Sequence, residues 1–374
     1  MGLGYIGLPT ALFYRRAGFS IQGIDTNEDL VRELRTGKIR MKEDGLEQMA
    51  EEYLSSVRLS TSYEDIDEID VFVLCLPSPI DENGRPVIRY LENSIEDIAK
   101  RVRNEILVLI ESTIPVGTTE KLSDLFGKVS GKKLDKDFWF AHCSERVLPG
   151  RVVQEMDSNH RLAGGVSESS STLAVAFLNT IFNSGLIHAT KSRTSETAKL
   201  AENAFRDVNI AFANELARLC TSLSIDVMEV ISLANLHPRV DILNPGLGVG
   251  GYCLPKDGWI LVESARGMGG DGILIPTARQ VNDSMPAHVS KRIREVVLDK
   301  SLRPSIGILG LSFKPNVSDT RNSPALALIK LLESSGLEVI VYDPIVDERH
   351  GEKKVDSIDD VLSSCDVLVL GSAH

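Results

Sequence analysis

No apolar run in this 374-residue chain approaches the roughly 20 residues a helix needs to cross a bilayer. The N-terminus also lacks the charged-then-apolar order of a signal peptide. No membrane partner is expected, and the expected location is the cytoplasm. Cysteine is scarce: the five present (Cys75, Cys143, Cys220, Cys253 and Cys365) are odd in number and show no CxxC spacing. That excludes a disulfide framework and gives no zinc signature. The seven histidines form no HxxxH pair, and no metal is expected. Basic residues are outnumbered 41 to 53, for a formal net charge of −12, and no Lys/Arg block offers a footprint for a phosphate backbone. Nucleic acid is therefore not an expected partner. What remains is an ordinary globular composition, 43% hydrophobic and 25% charged, long enough for two or three domains.

Residues 2–7 read GLGYIG, a GxGxxG made by Gly2, Gly4 and Gly7 around Tyr5 and Ile6. An apolar helical pattern follows (Leu8, Ala11, Leu12, Ala17) and ends at Gly18. A strand over Ser20–Asp25 then finishes on an acid, about 20 residues after the fingerprint, as a dinucleotide site requires. The glycines admit a pyrophosphate, the helix N-terminus binds it, and Asp25 can accept hydrogen bonds from the adenosine ribose, which favours NAD over NADP. In a doubly wound sheet a strand precedes the fingerprint and sits centrally, yet only Met1 stands before Gly2. The expectation is therefore that an apolar strand is missing before Met1, leaving the strands that end at Asp25 and Leu76 parallel, unpaired and about twice the normal spacing apart. A closing helix and strand after His374 are expected to be missing as well.

The α/β alternation continues. Asp70–Leu76 (DVFVLCL) is a buried parallel strand by its unbroken apolar run, with Cys75 as core, and it stops at Pro77-Ser78-Pro79. A helix over Leu91–Val102 leads to a strand at Ile106–Ile110. The polar turn after it puts Ser112 and Thr113 at the carboxyl edge of the sheet, where a nicotinamide and its substrate would meet; a helix cap is the alternative. Phe138–Cys143 is a further strand, left by a loop in which Glu145 and Arg146 read as a solvated ion pair. Apolar residues at helical spacing from Ser192 to Leu223 predict one long helix, with Lys199 and Asn203 four apart on it. A shorter helix over Val227–Ala234 and the turn Leu236-His237-Pro238-Arg239 come next. A helix over Pro276–Leu298 then gives way to strands at Ser305–Leu309, Glu338–Tyr342 and Asp366–Leu370 and a helix at Pro324–Ser335. These read as a second nucleotide-binding-type sheet, with Lys314, Asp319 and Arg321 at its carboxyl edge.

Between the helical middle and that sheet stands Gly248–Asp257, GVGGYCLPKD. Adjacent glycines let the backbone approach a ligand or take positive φ, and Pro255 suits the first turn of a helix running through Trp259 to Arg266. Cys253 then precedes a helix N-terminus, where the dipole makes a thiol of ordinary pKa about 8.5 easier to ionise. Two readings of it stay open, a reactive nucleophile and a small buried hydrophobe. Lys256 and Asp257 favour the first, because a cation and a carboxylate beside a turn cost desolvation that structure alone does not require.

In order along the chain, GLGYIGLP, STIPVGTT, SERVLPG, KLAENAFRDVNIAFANE, GVGGYCLPKD and GLSFKPNVSDTRNSP resemble the motifs of the UDP-glucose/GDP-mannose dehydrogenase family over essentially the whole length. The resemblance implies an α/β fold of two Rossmann-like doubly wound domains joined by a long central helix and a helical middle domain. It divides the chain into residues 1–190 for NAD, 191–300 for the cysteine loop and dimerisation, and 301–374 for the UDP-sugar. The activity it implies is four-electron oxidation of a UDP-sugar at C6, from alcohol to carboxylate, with two NAD. Cys253 would capture the aldehyde as a thiohemiacetal that is oxidised to a thioester. Lys199 and Asn203 would hold the oxyanion, Asp257 and Thr113 would order water and protons, and Glu145 would assist hydrolysis. By the same resemblance Gly2, Gly4, Tyr5, Ile6, Gly7, Asp25, Pro77, Thr113 and Arg321 contact NAD. The sugar nucleotide would be met by Glu145, Arg146, Val147, Lys199, Asn203, Gly250 and Lys314, and by Arg239 across a homodimer.

SERVLPG is similar to the branch acting on UDP-N-acetylhexosamines, so the implied substrate is UDP-N-acetyl-D-mannosamine, ahead of UDP-N-acetylglucosamine and UDP-glucose. Ser144 departs from a common proline, and Val87-Ile88-Arg89 from a common Asp-Leu. Two rivals remain: a two-electron hydroxyacid dehydrogenase of the 6-phosphogluconate type, which needs no cysteine, and a non-catalytic nucleotide-sugar-binding protein.

Overall fold

The structure, a computed structural model, describes residues 1–41, 43–63, 68–81, 85–182, 184–299, 305–346 and 353–374. The chain forms two compact units, Met1–Leu200 and Ala201–His374. The division expected between residues 300 and 301 lies outside the described residues.

In the first unit β1 (Gln22–Ile24) pairs in parallel with β2 (Arg58–Ser60). Five further strands, β3 (Val71–Leu74), β4 (Ile106–Ile110), β5 (Phe138–His142), β6 (Arg161–Gly165) and β7 (Ile187–Lys191), form a sheet in that order. All its pairings are parallel except β5 with β6. The unbroken apolar run of β4 has a simple cause: Leu107 and Leu109 feed the core on one face, and Ile106, Val108 and Ile110 the core on the other. The helix Gly7–Arg16 closes the first of these cores with Leu8, Leu12 and Phe13.

The strands expected at Ser20–Asp25 and Asp70–Leu76 are the shorter β1 and β3, and they belong to separate sheets. Between them lies the head of the fingerprint. The Met1 amine donates to the Val73 carbonyl at 2.7 Å, Cys75 N–H donates to Met1 O at 2.8 Å, and Gly2 N–H donates to Ile24 O at 2.8 Å. Residues 1 and 2 thus join the carboxyl ends of both strands. Strands β2, β6 and β7 carry little sequence signal: β2 is three residues long, and β7 (IHATK) is half or fully exposed along its length.

The second unit begins on the helix Ser192–Leu223, which has the predicted limits, and continues through helices Val227–Ala234, Leu254–Arg266 and Leu274–Asp299. Among the described residues its strands, β8 (Ser305–Leu309), β9 (Glu338–Tyr342), β10 (Lys353–Lys354) and β11 (Val367–Leu370), are all parallel in the order β10-β9-β8-β11. The sheet grows outward on both sides of β8, which is the doubly wound pattern and puts a ligand crevice at the carboxyl end of that strand. Ile293 and Val297 of the Leu274–Asp299 helix pack into its core.

Candidate active site

The fingerprint glycines divide by role. A Cβ at Gly2, whose φ is +79°, would stand 2.6 Å from the Cys75 carbonyl oxygen, and one at Gly7 would overlap Gly2 O. These two make the turn and seat the helix. Gly4 has nothing within 4 Å of where its Cβ would lie, so this backbone is open to a phosphate at the N-terminus of Gly7–Arg16. Asp25 closes the loop from the other side: its Oδ2 accepts Leu3 N–H at 2.7 Å and its Oδ1 accepts Asn27 N–H at 2.9 Å. Each oxygen keeps a lone pair for a ribose hydroxyl, and these residues fit NAD. Tyr5 is exposed and its hydroxyl donates to Glu43; Ile6 is half-buried and Pro77 exposed.

At the carboxyl end of β4, Ser78 Oγ donates to the carbonyl of Thr113. The VGTT turn beyond it is fixed by a residue that sequence reasoning missed. Buried Glu196 accepts Gly117 N–H at 2.5 Å, Thr119 N–H at 2.8 Å and the Thr119 hydroxyl at 2.6 Å, which caps the helix Thr118–Ser130 from the long helix. His142, also missed, is a second brace. Its ring is fully buried, with Nε2 3.3 Å from Ser112 O and Nδ1 2.9 Å from Ser195 Oγ, one turn before Lys199. Burial lowers its pKa to about 3. A carbonyl only accepts, so the neutral ring carries its proton on Nε2 and receives the Ser195 hydroxyl on Nδ1.

Glu145 and Arg146 are not a solvated pair. The Glu145 side chain is buried and lies 2.6 Å from the guanidinium of buried Arg161, and it also accepts the backbone N–H of Arg146 at 2.8 Å. The Arg146 guanidinium donates to the His160 carbonyl at 3.2 Å. The reason is distant in sequence: β6 brings Arg161 beside the loop that leaves β5, and a buried carboxylate takes the buried cation. Cys75 is half-buried rather than core, and its thiol donates to Glu111 at 3.2 Å.

In the second unit Cys253 is exposed and is the N-cap of Leu254–Arg266, with Pro255 in the first turn. That removes the reading of Cys253 as a small buried hydrophobe. Behind it Asp257 is fully buried: Oδ1 accepts Lys256 Nζ at 2.9 Å and Oδ2 accepts Asn203 Nδ2 at 2.7 Å. Asn203 is therefore a buried ligand of the carboxylate. Lys199, half-buried, belongs to the first unit on the same helix. The glycines here admit a side chain of the protein itself. A Cβ at Gly250 would fall 2.6 Å from Phe313 Cβ, and one at Gly251, φ +81°, 2.9 Å from the Phe313 ring. Gly251 N–H donates to Arg321 O at 2.9 Å, and Asn322 Nδ2 donates to Gly251 O at 3.0 Å. The turn after β8 is thus bound to the cysteine loop. Arg321 forks onto Asp319 and lies 5.5 Å from the centre of the Tyr252 ring, Lys314 is half-buried, and Arg239 is exposed next to His237.

Among the described residues no cluster of three or more His, Cys, Asp or Glu could hold a metal ion, and no helix is long and apolar enough to cross a membrane.

Three models of one family match the chain in order. They are the NAD-binding domain of the UDP-glucose/GDP-mannose dehydrogenase family over residues 1–184, its central domain over 193–284 and its UDP-binding domain over 307–374. A UDP-N-acetyl-D-mannosamine dehydrogenase of Pyrococcus horikoshii is 40% identical over all of this chain and 88% of its own length. The solved structure of UDP-D-ManNAc dehydrogenase from that organism superposes with a TM-score of 0.93 at 39% identity, covering 100% of this chain and 88% of that one. An NDP-N-acetyl-D-galactosaminuronic acid dehydrogenase of Ralstonia nicotianae is 40% identical over 92% of this chain and 82% of its own. With a dinucleotide fingerprint, a cysteine loop and a second nucleotide sheet matched by all three domains of one family, the chain belongs to the UDP-glucose/GDP-mannose dehydrogenase family and is an NAD-dependent oxidoreductase acting on a UDP-sugar.

Proposed function

We propose that the enzyme carries its UDP-sugar through both oxidation levels at C6, from alcohol to carboxylate, using Cys253 as a covalent anchor. The observation that carries this reading is an exposed thiol at the head of a helix whose first turn holds a buried carboxylate fixed on both oxygens. NAD, held by Gly2, Gly4, Tyr5, Ile6, Gly7, Asp25, Pro77, Thr113 and Arg321, supplies the hydride acceptor. Cys253 adds to the C6 aldehyde to give a thiohemiacetal, whose oxidation leaves a thioester. Lys199 and Asn203 stabilise the oxyanion that develops at C6, because a cation and an amide donor held in place need no reorganisation as charge appears. Thr113 and Asp257 order the proton transfers, and Glu145 assists water in cleaving the thioester. Arg146, Val147, Gly250 and Lys314 bind the sugar nucleotide. Residues 1–190, 191–300 and 301–374 serve NAD, the cysteine chemistry and UDP respectively.

The proposed substrate is UDP-N-acetyl-D-mannosamine, supported by the loop SERVLPG and by the activity that gives the Pyrococcus relative its name. The proposed assembly is a homodimer. Phe205, Phe212 and Leu219 recur every seven residues on the long helix and are 66%, 52% and 56% exposed, an apolar stripe of the kind that partner helices cover. Arg239, exposed on the turn that follows, reaches the substrate of the partner in this assembly.

A panel of UDP-sugars assayed by NADH absorbance, with NADH counted per sugar consumed, tests the reading. Two NADH per UDP-N-acetyl-D-mannosamine is expected. One per sugar means an enzyme that stops at the aldehyde, and none means a binding protein. Turnover of UDP-glucose alone overturns the substrate.

A further inference from the structure

Glu145 is one of two carboxylates buried around a single guanidinium. Its Oε1 accepts Arg146 N–H at 2.8 Å and its Oε2 lies 2.6 Å from Arg161, with 4% and 6% of the two side chains exposed. Arg161 is itself fixed. It stands at the head of β6, donates to Met156 O at 3.1 Å and lies 3.6 Å from the centre of the Phe182 ring. The second carboxylate is Glu111, at the carboxyl end of β4. It accepts the Thr10 hydroxyl at 2.9 Å and the Cys75 thiol at 3.2 Å. Burial pushes the Glu111 pKa up, the charge of Glu145 pushes it further, and Arg161 pulls it down. A buried pair of carboxylates sharing one cation does not readily hold two negative charges. The ion-pair contact falls to Glu145; Glu111 has neutral donors instead.

We propose that Arg161 is the positioning residue of the hydrolytic step, holding Glu145 so that its carboxylate takes the proton of the water that cleaves the thioester. This rests on the reading of Glu145 given above. In the step, the water oxygen bonds to the thioester carbonyl carbon, its proton passes to Glu145, the C–S bond breaks, and Cys253 leaves as thiolate. The sugar acid is released and no electrons change hands. Arginine suits the position better than lysine because its flat cation stacks on Phe182 while it holds the carboxylate.

The test follows single turnovers of the full chain with UDP-sugar and NAD, reading NADH, released acid and the mass of the acyl-enzyme, for Arg161→Gln, Arg161→Lys, Glu145→Gln and the double variant Arg161→Gln/Glu111→Gln. Arg161→Gln is expected to form NADH within a few-fold of the wild-type rate. It should release acid about 10²-fold more slowly, the scale of a mispositioned general base, with thioester accumulating on Cys253. Arg161→Lys should restore most of the rate. The double variant removes one of the two buried carboxylates left without the cation; slow hydrolysis there is expected as well. Wild-type acid release in Arg161→Gln, or full recovery of hydrolysis in the double variant, overturns the proposal and leaves Arg161 a structural pair. Wild-type acid release by Glu145→Gln instead overturns the role of Glu145 itself.

Discussion

Two glycine-rich loops face ligand edges in this protein, and they use the same residue for different ends. In GLGYIG, Gly2 takes a positive φ against the Cys75 carbonyl and Gly7 lies against the carbonyl of Gly2, while Gly4 has open space where a Cβ would stand. In GVGGYCLPKD, Gly250 and Gly251 are filled from outside by Phe313. The first loop is shaped for a phosphate to approach; the second is shaped to be clamped by the turn after β8. What stands behind them differs too. Around the VGTT turn the first unit places lone buried titratable groups, Glu196 and His142, each tied to neutral partners. The second braces Cys253 with a charge-balanced set, Lys256, Asp257 and Asn203. Glycine in a motif therefore reports close approach without saying what approaches.

The largest expected effect breaks the second loop chemically while leaving it folded. On the function proposed above, Cys253→Ala removes the thiol that captures the aldehyde, so release of the sugar acid should fall by about four decades or more, with a weak first oxidation surviving. Acid formation at the wild-type rate, measured by chromatography of the product, would remove Cys253 from the chemistry.

Next in size are substitutions that separate the two uses of glycine. Gly251→Ala puts a methyl 2.9 Å from the Phe313 ring at φ +81°, and overpacking together with the left-handed backbone should cost about 2–4 kcal/mol. Phe313→Ala in the same chain should return the overpacking part and leave the backbone part, so a double-mutant cycle of urea unfolding reads a coupling of at least about 1 kcal/mol. Simple additivity would mean that Phe313 does not explain the glycine. Gly4→Ala is the counterpart. Its melting temperature should stay within a few degrees of wild type, while NAD affinity drops roughly tenfold, about 1.4 kcal/mol, as the methyl meets the pyrophosphate. A variant that melts early but binds NAD normally would reverse the roles assigned to the two loops.

Much of this architecture was legible in the chain because its signals are local. The helix Ser192–Leu223 and the strands at 106–110, 305–309 and 338–342 fall where periodicity put them. Pro255 marked the start of the helix behind Cys253. Legibility ended where a role depends on a partner far along the chain. Glu196 caps a turn 77 and 79 residues earlier, and Arg161 finds Glu145 only because β6 turns back antiparallel beside β5. In sequence Glu196 is one more polar residue on a helix, and Arg161 stands at the start of a short strand with no motif around it. Arg146, adjacent to Glu145, was the obvious partner, but adjacent side chains leave an extended loop in different directions. Burial of the carboxylate then selected the cation that was already dry.

The brace at His142 gives the smallest effect, one that distinguishes the two units by pH. With its folded pKa near 3, His142 stays neutral where the unfolded chain, at about 6.5, takes up a proton. Between those values the unfolded state binds more protons, so the contribution of this residue is fully present above pH 6.5 and is lost as pH falls toward 3. From pH 7.5 to 5.5 one such proton amounts to about 1.4 kcal/mol. Glu111, Glu196 and Asp207, raised by burial, act with the opposite sign, which makes the total pH dependence of the wild type uninformative by itself. The difference between wild type and His142→Gln isolates the histidine, since glutamine can still donate to Ser112 O and accept from Ser195 but cannot titrate. Urea unfolding at pH 7.5, 6.5 and 5.5 should show the wild type losing about 1.4 kcal/mol more than the variant. Parallel curves would mean that the ring titrates in the folded protein much as it does in the unfolded chain, and that the edge carrying Thr113 is not braced by a neutral buried imidazole.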